Sequence, residues 1–155
     1  MITYKECDIL QAEENIIVQS INHKGIMGAG LAKEIKLAYP DIELQYKEIC
    51  KTISFERCRR ANPVYWYQVS KDKFIASVFG QDGFGRDKRY TDYYALANGF
   101  EEIRLMAESR VYLYSVAIPY KIGCGLGGGN WEFVKDIISD VFKYSPEINI
   151  VIYKI

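Results

Sequence analysis

The stretch at residues 120–131, YKIGCGLGGGNW, constrains the fold of this chain more than any other. Five of the seven residues from Gly123 to Gly129 are glycine. Each glycine held in regular structure costs roughly 0.5–1 kcal/mol more than alanine would, and a folded domain has only about 5–15 kcal/mol of net stability. A glycine run of this length therefore indicates that the backbone itself has a function here.

The elements on either side of the run predict what that function is. The apolar residues 111–119 (VYLYSVAIP) are predicted to form a buried strand, and a helix is predicted to begin after an N-cap at Asn130. In such a unit the backbone N–H groups point outward and the helix dipole favours an anion. We therefore expect a phosphate-bearing ligand on this loop. The alternative is a mobile glycine-rich connection, which the two apolar neighbours disfavour.

A second strand-to-glycine-loop junction lies nearer the N-terminus. Residues 15–21 (NIIVQSI) form a short, nearly continuous β-branched run, which is typical of a central strand. The loop NHKGIMGAG follows at residues 22–30. A helix is predicted next, because Leu31, Ile35 and Ala38 share one face, and Pro40 ends it.

The rest of the chain alternates strands and helices, except for one hairpin. Further strands are predicted at residues 1–7, 64–69, 74–79 and 148–153, and further helices at residues 42–52 and from an N-cap at Thr91 to about Ser109. Residues 56–62 (ERCRRAN) are interpreted as an exposed, solvated connection, and residues 80–90 as a long functional loop. This order predicts an α/β fold, a three-layer α/β/α sandwich with a mixed central sheet. Its ligand would bind at the loops that follow the carboxyl ends of the strands.

Length and composition narrow the possible functions. The 155 residues suffice for a single domain spanning residues 1–155. The 20 basic and 20 acidic residues cancel, which argues against a general nucleic-acid binder but not against a small anion held by amides. Four cysteines without a C-x-x-C pair and a single histidine predict no metal site, and no cofactor is expected. The absence of a signal segment and of an apolar run of about 20 residues predicts a cytoplasmic protein without membrane contact, expected to be a monomer.

Two motifs taken together resemble those of the macro domain family. Residues 22–32 (NHKGIMGAGLA) are similar to the family's first ligand loop, and residues 118–131, which contain IP and KIGCGLGGGNW, are similar to its second. Cys7-Asp8-Ile9 matches the family's N-terminal Gly-Asp-Ile, with cysteine in place of glycine. The resemblance covers essentially the whole chain. It is closest to the microbial group that processes ADP-ribose-1″-phosphate and to the deacylase that removes ADP-ribose from glutamate.

The resemblance implies the macro domain fold and an ADP-ribose site. Asp8 would accept a hydrogen bond from the adenine amino group, Asn22 would bond the distal ribose, and the glycine run would hold the diphosphate. A local role for Asp8 as a helix N-cap or turn residue, and for Asn22 as a turn residue, remains open. The predicted ligand-binding residues are Asp8, Ile9, Asn22, Gly28, Ala29, Gly30, Leu31, Gln81, Lys121, Ile122, Gly123, Cys124, Gly125, Leu126, Gly127 and Gly128.

Two residues are candidates for catalysis. His23, the only histidine, lies in the first ligand loop, and histidine suits proton transfer near neutral pH; a solvent-facing side chain without a catalytic role is the alternative. Asp82 belongs to a Gln-Asp-Gly sequence that resembles a loop of the phosphate-processing group. Cys124 is interpreted as a small apolar filler rather than a nucleophile. The lysine–aspartate pair of the glutamate deacylase is absent, since Gly127 replaces the aspartate and residues 74–79 contain no lysine.

The leading hypothesis is a hydrolase that acts at the anomeric end of ADP-ribose and removes the 1″-phosphate. It would position water and stabilise developing charge with backbone donors. The missing lysine–aspartate pair favours a rival, a non-catalytic module that binds ADP-ribose. A third possibility, removal of ADP-ribose from protein or from a nucleobase, uses the same site.

Overall fold

The computed structural model describes residues 2–110 and 113–155. The predicted strand at residues 111–119 is β5 from Ser115 onward, and its residues 111–112 lie outside the described ranges, as does residue 1. The strands are β1 (Ile2–Glu6), β2 (Ile16–Ile21), β3 (Val64–Ser70), β4 (Lys73–Phe79), β5 (Ser115–Pro119) and β6 (Asn149–Lys154). The helices are α1 (Gly30–Ala38), α2 (Asp41–Thr52), α3 (Phe55–Ala61), α4 (Tyr93–Ser109) and α5 (Trp131–Phe142), and a 3₁₀ turn covers Ile9–Gln11.

The strands form one mixed sheet in the order β1-β6-β5-β2-β4-β3. The hairpin pair β3–β4 is antiparallel, and the other neighbours are parallel. Parallel neighbours require crossover connections, which the helices between the strands supply. The predicted α/β fold with a mixed central sheet is confirmed.

The helices cover both faces of the sheet because its central strands are apolar on both sides. On one face Ile17 and Ile21 of β2 pack with residues of α1 and α2, including Tyr46. On the other face Ile16 and Val18 pack with residues of α4 and α5. Two cores, one on each side of the sheet, thus hold the sandwich together. Over the described residues, no helix combines the length and apolarity that crossing a bilayer would require.

The two central strands separate toward their carboxyl ends. β2 and β5 are paired at only two register positions, Ile16 with Val116 and Ile17 with Ala117. β2 then runs on to Ile21 and β5 to Pro119 without further pairing. The chain leaves β2 toward β3 and β4 and leaves β5 toward β6, so the two connections diverge. In open α/β sheets, ligands bind in the crevice that such a reversal creates.

The prediction that residues 56–62 form a connection without regular structure is wrong, because residues 56–61 lie in α3 and Asn62 is its C-cap, although most of these residues are exposed as expected. Ser54 Oγ accepts a hydrogen bond from the Arg57 N–H at 3.2 Å and caps this helix. Arg59, expected to be solvated, forms an ion pair with Asp92 at 2.7 Å. Seven residues are too few to display a helical apolar period, and a sequence pattern cannot reveal an ion-pair partner 33 positions away.

The N-cap of α4 also differs from the prediction by one residue. The Asp92 carboxylate, not Thr91, accepts the hydrogen bond from the Ala95 N–H, at 3.0 Å. Thr91 Oγ1 instead donates to the Gly123 carbonyl at 2.5 Å, which joins the start of α4 to the glycine run. Asn130 caps α5 as predicted, accepting from the Phe133 N–H at 3.3 Å.

Replacing Gly99 by alanine should destabilise the sandwich, because α4 lies directly on β4 there. A Cβ on Gly99 would lie 2.4 Å and 2.9 Å from the two γ-carbons of Val78. Overpacking of this kind costs about 1–3 kcal/mol, and better helix propensity offsets up to about 1 kcal/mol of it. We expect urea denaturation to show a net loss of about 1–2 kcal/mol. Gly125→Ala, whose Cβ would meet nothing within 4 Å, is the control, and equal stability of the two variants would contradict this packing.

Candidate functional site

A cavity of about 750 Å³ opens where β2 and β5 separate. Three loops surround it: the first loop (residues 22–29, between β2 and α1), the second loop (residues 120–130, between β5 and α5) and the third loop (residues 80–92, between β4 and α4). The two glycine-rich loops predicted to hold a ligand therefore line one cavity, together with the ends of the strands that precede them. Its size is that of pockets that take drug-sized or nucleotide-sized molecules.

Over the described ranges, the N–H groups at the start of α1 have no acceptor, and they lie at this cavity. Gly30, Leu31 and Ala32, which form the first turn, line it. The N-cap residue, Ala29, has no side-chain oxygen to accept from the first-turn amides. By contrast, side chains cap α3, α4 and α5. An uncapped N-terminus that faces a cavity is suited to an anion, because the amides and the helix dipole both favour negative charge.

The second loop adds a further set of donors. In the described part of the chain, the N–H groups of Gly125, Leu126 and Gly127 have no acceptor, and all three residues line the cavity. The third loop fixes the second loop, since the Gly127 carbonyl accepts hydrogen bonds from the Tyr90 N–H at 2.7 Å and the Thr91 N–H at 2.9 Å. The loop conformation therefore does not depend on those three amides, which are left for a ligand.

Glycine is required at position 127 because the second and third loops approach each other closely there. A Cβ there would lie 2.3 Å from Thr91 Oγ1 and 2.7 Å from both Gln81 Oε1 and the Gly123 carbonyl oxygen. Any side chain would push the third loop away from the second. The same geometry places the amide oxygen of Gln81, a largely buried residue, beside the glycine loop at the cavity wall.

The charged side chains on the cavity wall are cationic. Lys121 and Arg86 both line it. None of the described lining residues carries a carboxylate. Across the described ranges, no group of three or more His, Cys, Asp or Glu side chains could hold a metal ion. A site with two sets of amides, two cations and no acid favours an anionic ligand.

The strand ends contribute two buried polar atoms to the cavity. Gln19 donates through Nε2 to Ser77 Oγ at 2.9 Å, but its Oε1 has no partner among the described residues. Ser20 Oγ is also buried and unpartnered within those residues. Both residues line the cavity. Unsatisfied buried oxygens are costly, so they point to hydrogen bonds made when a hydroxyl-bearing ligand is bound.

Tyr46 and Asn22 fix the first loop. The buried Tyr46 hydroxyl donates toward the Asn22 carbonyl and Oδ1, at 2.9 Å and 2.7 Å, and accepts from the Ile26 N–H at 3.1 Å. Asn22 Oδ1 also accepts from the Lys24 N–H at 2.8 Å, and its Nδ2 donates to the Ile26 carbonyl at 2.9 Å. Asn22 is therefore a turn residue of the loop, the alternative left open by the sequence, although it also lines the cavity.

Most of the predicted ligand-binding residues line the cavity, and four do not. Asp8 caps the 3₁₀ turn, accepting from the Leu10 N–H at 3.0 Å, and Ile9 is buried in that turn. Cys124 donates to the Ile122 carbonyl at 3.3 Å, and burial raises the pKa of its thiol. Gly128 lies beneath Arg89. The residues that do line the cavity are Asn22, Gly28, Ala29, Gly30, Leu31, Gln81, Lys121, Ile122, Gly123, Gly125, Leu126 and Gly127.

Neither predicted catalytic side chain is among the cavity-lining residues. His23 Nε2 donates to the Ile53 carbonyl at 2.6 Å, and its ring packs against Phe55 and Phe79 with centroids 6.0 Å and 5.8 Å away. Asp82 is exposed and lies 3.5 Å from Lys24 Nζ. The backbones of the two residues are joined, since the His23 N–H donates to the Asp82 carbonyl at 3.0 Å. Both residues thus tie the first loop to the third, and their catalytic role remains a prediction.

Several lining residues were not predicted from the sequence. Gln19 and Ser20 belong to a strand whose pattern indicates burial, and only the end of the β2–β5 pairing exposes them to the cavity. Phe84 and Arg86 lie in the third loop, which the sequence marks as functional without indicating which side chains turn inward. The remaining unpredicted lining residues are Ile21, Ile26, Ala32, Pro119 and Tyr120.

The fold and the site define an α/β/α domain with a donor-lined, carboxylate-free cavity at a reversal in strand order. No family model matches the chain. It is 30% identical over 157 residues to the DNA ADP-ribosyl glycohydrolase of Mycobacterium tuberculosis, which covers 99% of the chain and 42% of that relative. The macrodomain of Mycobacterium tuberculosis DarG superposes with a TM-score of 0.81 and 25% identity, covering 100% of this chain and 98% of that one.

A further solved structure, Thermosipho africanus DarTG in complex with ADP-ribose, matches with a TM-score of 0.77 and 22% identity, over 98% of this chain and 41% of that one. The chain spans only 42% of the length of the Mycobacterium tuberculosis glycohydrolase. The chain belongs to the macro domain family. The family resemblance noted in the sequence is confirmed.

Replacing Tyr46 by phenylalanine should loosen the first loop. The change leaves the Ile26 N–H and the Asn22 carbonyl without their partner, and a buried group left unpaired costs about 1–3 kcal/mol. We expect urea denaturation to show a loss in that range. Tyr144→Phe is the matched control, because Tyr144 is exposed. A Tyr46→Phe protein as stable as this control would show that the hydroxyl does not hold the loop.

The same variant should change how stability depends on alkaline pH. Burial raises the pKa of Tyr46 above its ordinary value of 10.0. Above that pH the unfolded chain releases this proton while the folded chain keeps it, so the free energy of unfolding falls as pH rises. Tyr65, whose pKa burial raises to about 12, contributes the same sign in both proteins. We expect stability to fall less steeply in Tyr46→Phe than in the wild type between about pH 10 and 11, and parallel curves would contradict the assignment.

Proposed function

We propose that this cavity binds ADP-ribose, with the diphosphate held between the start of α1 and the second loop. The observation that carries the proposal is the convergence of two unused donor sets on one carboxylate-free cavity. These sets are the first-turn amides of α1 and the N–H groups of residues 125–127. Amides that need no reorganisation are suited to a pyrophosphate. The ADP-ribose complex of Thermosipho africanus DarTG, with its similar fold, supports the same ligand.

The two sugars and the base occupy the remaining surfaces in this proposal. The distal ribose lies toward Gly28 and Gln81, where the unpartnered oxygens of Gln19 and Ser20 accept from hydroxyl groups. Lys121 neutralises part of the diphosphate charge. The adenine group lies toward Asp8, whose Oδ1 caps a turn and whose second oxygen can accept from the adenine amino group.

We propose further that the chain hydrolyses ADP-ribosyl groups, with a DNA base as the first leaving group to test. The relative in Mycobacterium tuberculosis is named a DNA ADP-ribosyl glycohydrolase. In this reaction a water oxygen bonds to the anomeric carbon, the bond from that carbon to the base nitrogen breaks, and the base takes up the proton that the water releases. The 1″-phosphate of ADP-ribose is the second candidate, because the sequence Gln81-Asp82-Gly83 resembles a loop of phosphate-processing macro domains.

Gln81 is our candidate for positioning the water. It is 8% exposed, and its Nε2 is fixed by a hydrogen bond to the Gly83 carbonyl at 2.8 Å. Its Oε1 faces the second loop and has no partner among the described residues. An amide oxygen can accept from water and orient it, but it cannot take the proton at neutral pH. The site would therefore act mainly by orientation and by stabilising charge, which fits a slow hydrolase with a good leaving group.

Gly127→Ala should weaken ADP-ribose binding by about tenfold or more, a change of about 1.4 kcal/mol. Its Cβ would meet Gln81, Thr91 and Gly123 at once, so the loop amides must move. Calorimetry with ADP-ribose checks this, with AMP as a comparison ligand that lacks the second phosphate and sugar. A variant that retains the wild-type circular dichroism spectrum and the wild-type Kd would remove the second loop from the site.

Gln81→Ala should lower kcat/KM for the hydrolysed substrate by about tenfold or more, because the water loses its orientation. Three substrates are compared: a single-stranded oligonucleotide with one ADP-ribosyl base, an ADP-ribosylated protein and ADP-ribose-1″-phosphate. Gln68→Ala is the control, since Gln68 is an exposed amide on β3 that does not line the cavity. ADP-ribose binding without turnover of any substrate would refute the hydrolase proposal and leave a binding module.

A further inference from the structure

We propose that the cationic segment formed by residues 86–89, at the mouth of the cavity, contacts the phosphate backbone of a single-stranded nucleic acid that carries the ADP-ribosyl group. The inference rests on the proposed function, in which ADP-ribose fills the cavity. It names the polymer attached to the ligand and the surface that receives it.

The segment carries charge that is available to a partner. Arg86, Lys88 and Arg89 are all exposed. Within the described residues, none of the three has a carboxylate within 4.0 Å. The single acid of the segment, Asp87, accepts from the Tyr90 hydroxyl at 2.7 Å, and that hydrogen bond lowers its pKa. Three cations and one carboxylate leave two positive charges, which is sufficient for two phosphate contacts.

The segment is continuous with the cavity. Arg86 lines the main cavity and, with Gly125 and Leu126, also lines a second depression of about 430 Å³ beside it. Further along, the segment packs on the second loop, since a Cβ on Gly128 would lie 3.2 Å from Arg89 Cα. These cations therefore border the mouth of the cavity, beside any chain attached to a ligand that the cavity holds.

Apolar and aromatic side chains accompany the charges. Phe84, 41% exposed, and Leu126, 38% exposed, both line the cavity. The Arg89 guanidinium lies 4.4 Å from the centre of the Tyr93 ring, and Tyr93 packs against Phe133 with centroids 4.5 Å apart. Surfaces that bind single strands combine phosphate-contacting cations with apolar faces on which bases stack. The bases of a duplex are already stacked on one another, so such faces favour a single strand.

The neutral net charge of the chain limits this contact to the neighbourhood of the cavity. With 20 basic and 20 acidic residues, no long-range field draws in polyanions. Residues 86–89 would therefore add affinity only when the ADP-ribosyl group is already held nearby. Such a surface would favour ADP-ribosylated strands over ADP-ribose itself without making the chain a general nucleic-acid binder.

The test compares the wild type with Lys88→Ala/Arg89→Ala. The matched control is Lys71→Ala/Lys143→Ala, which removes two exposed lysines that precede β4 and β6, at the amino ends of the strands and therefore at the end of the sheet opposite the cavity. Each protein is titrated with ADP-ribose and with a single strand of about 12 nucleotides that carries one ADP-ribosyl base, at about 50 and 200 mM salt. KM replaces Kd where the strand is hydrolysed. Thermal melting verifies the fold of every variant.

We expect Lys88→Ala/Arg89→Ala to bind ADP-ribose as the wild type does and the modified strand about fivefold or more weakly. Its salt slope should fall by about 1.4, because each single-strand phosphate contact contributes about 0.7. A strand affinity and slope equal to those of the control would overturn the inference. So would an equal loss for an ADP-ribosylated peptide, which has no phosphodiester backbone. A wild type that does not bind ADP-ribose would instead refute the proposed function, so the two failures are distinguishable.

Discussion

The site depends on the early end of the pairing between β2 and β5. Two register positions, at Ile16 and Ile17, join these central strands, and beyond them the strands separate. A fully paired sheet would bring the first and second loops together and close the cavity. Because β2 and β5 diverge, the polar side chains of Gln19 and Ser20 reach the cavity from β2, whose other residues are apolar. The cores on both faces hold the gap open, since α1 and α2 pack on one side and α4 and α5 on the other.

Backbone groups rather than side chains give the cavity its preference for an anion. The first turn of α1 lacks a side-chain cap, whereas α3, α4 and α5 have one. The free amides of the second loop face the same space. This design explains why a chain with no net charge can present a phosphate site, because partial charges on fixed dipoles add nothing to the formal charge. It also explains the glycine run, since Gly127 leaves no room for a side chain between Gln81 and Gly123.

The sequence allowed the two loops to be predicted but not the roles of single residues within them. Glycine composition and flanking apolar runs located both loops, because those signals are local. The orientation of His23 toward the Ile53 carbonyl, 30 positions away, has no local signal. The same holds for the ion pair of Arg59 with Asp92, which draws a basic stretch onto α4. The sequence predicts an anion at the start of α5, the helix that follows the second loop. In the structure Asn130 caps α5, and the uncapped start of α1 faces the cavity instead.

The sequence by itself determined the order of the strands and of every helix except α3, the positions of the glycine-rich loops and the family, because apolar period and turn chemistry act over a few neighbouring residues. Only the tertiary structure decided where the strands separate, which uncapped helix start faces the cavity and which polar atoms line it. These depend on contacts between residues that lie far apart in the chain, such as Tyr46 with Asn22 and Thr91 with Gly123. Packing and long-range hydrogen bonding set those contacts, and no periodicity in the sequence encodes them.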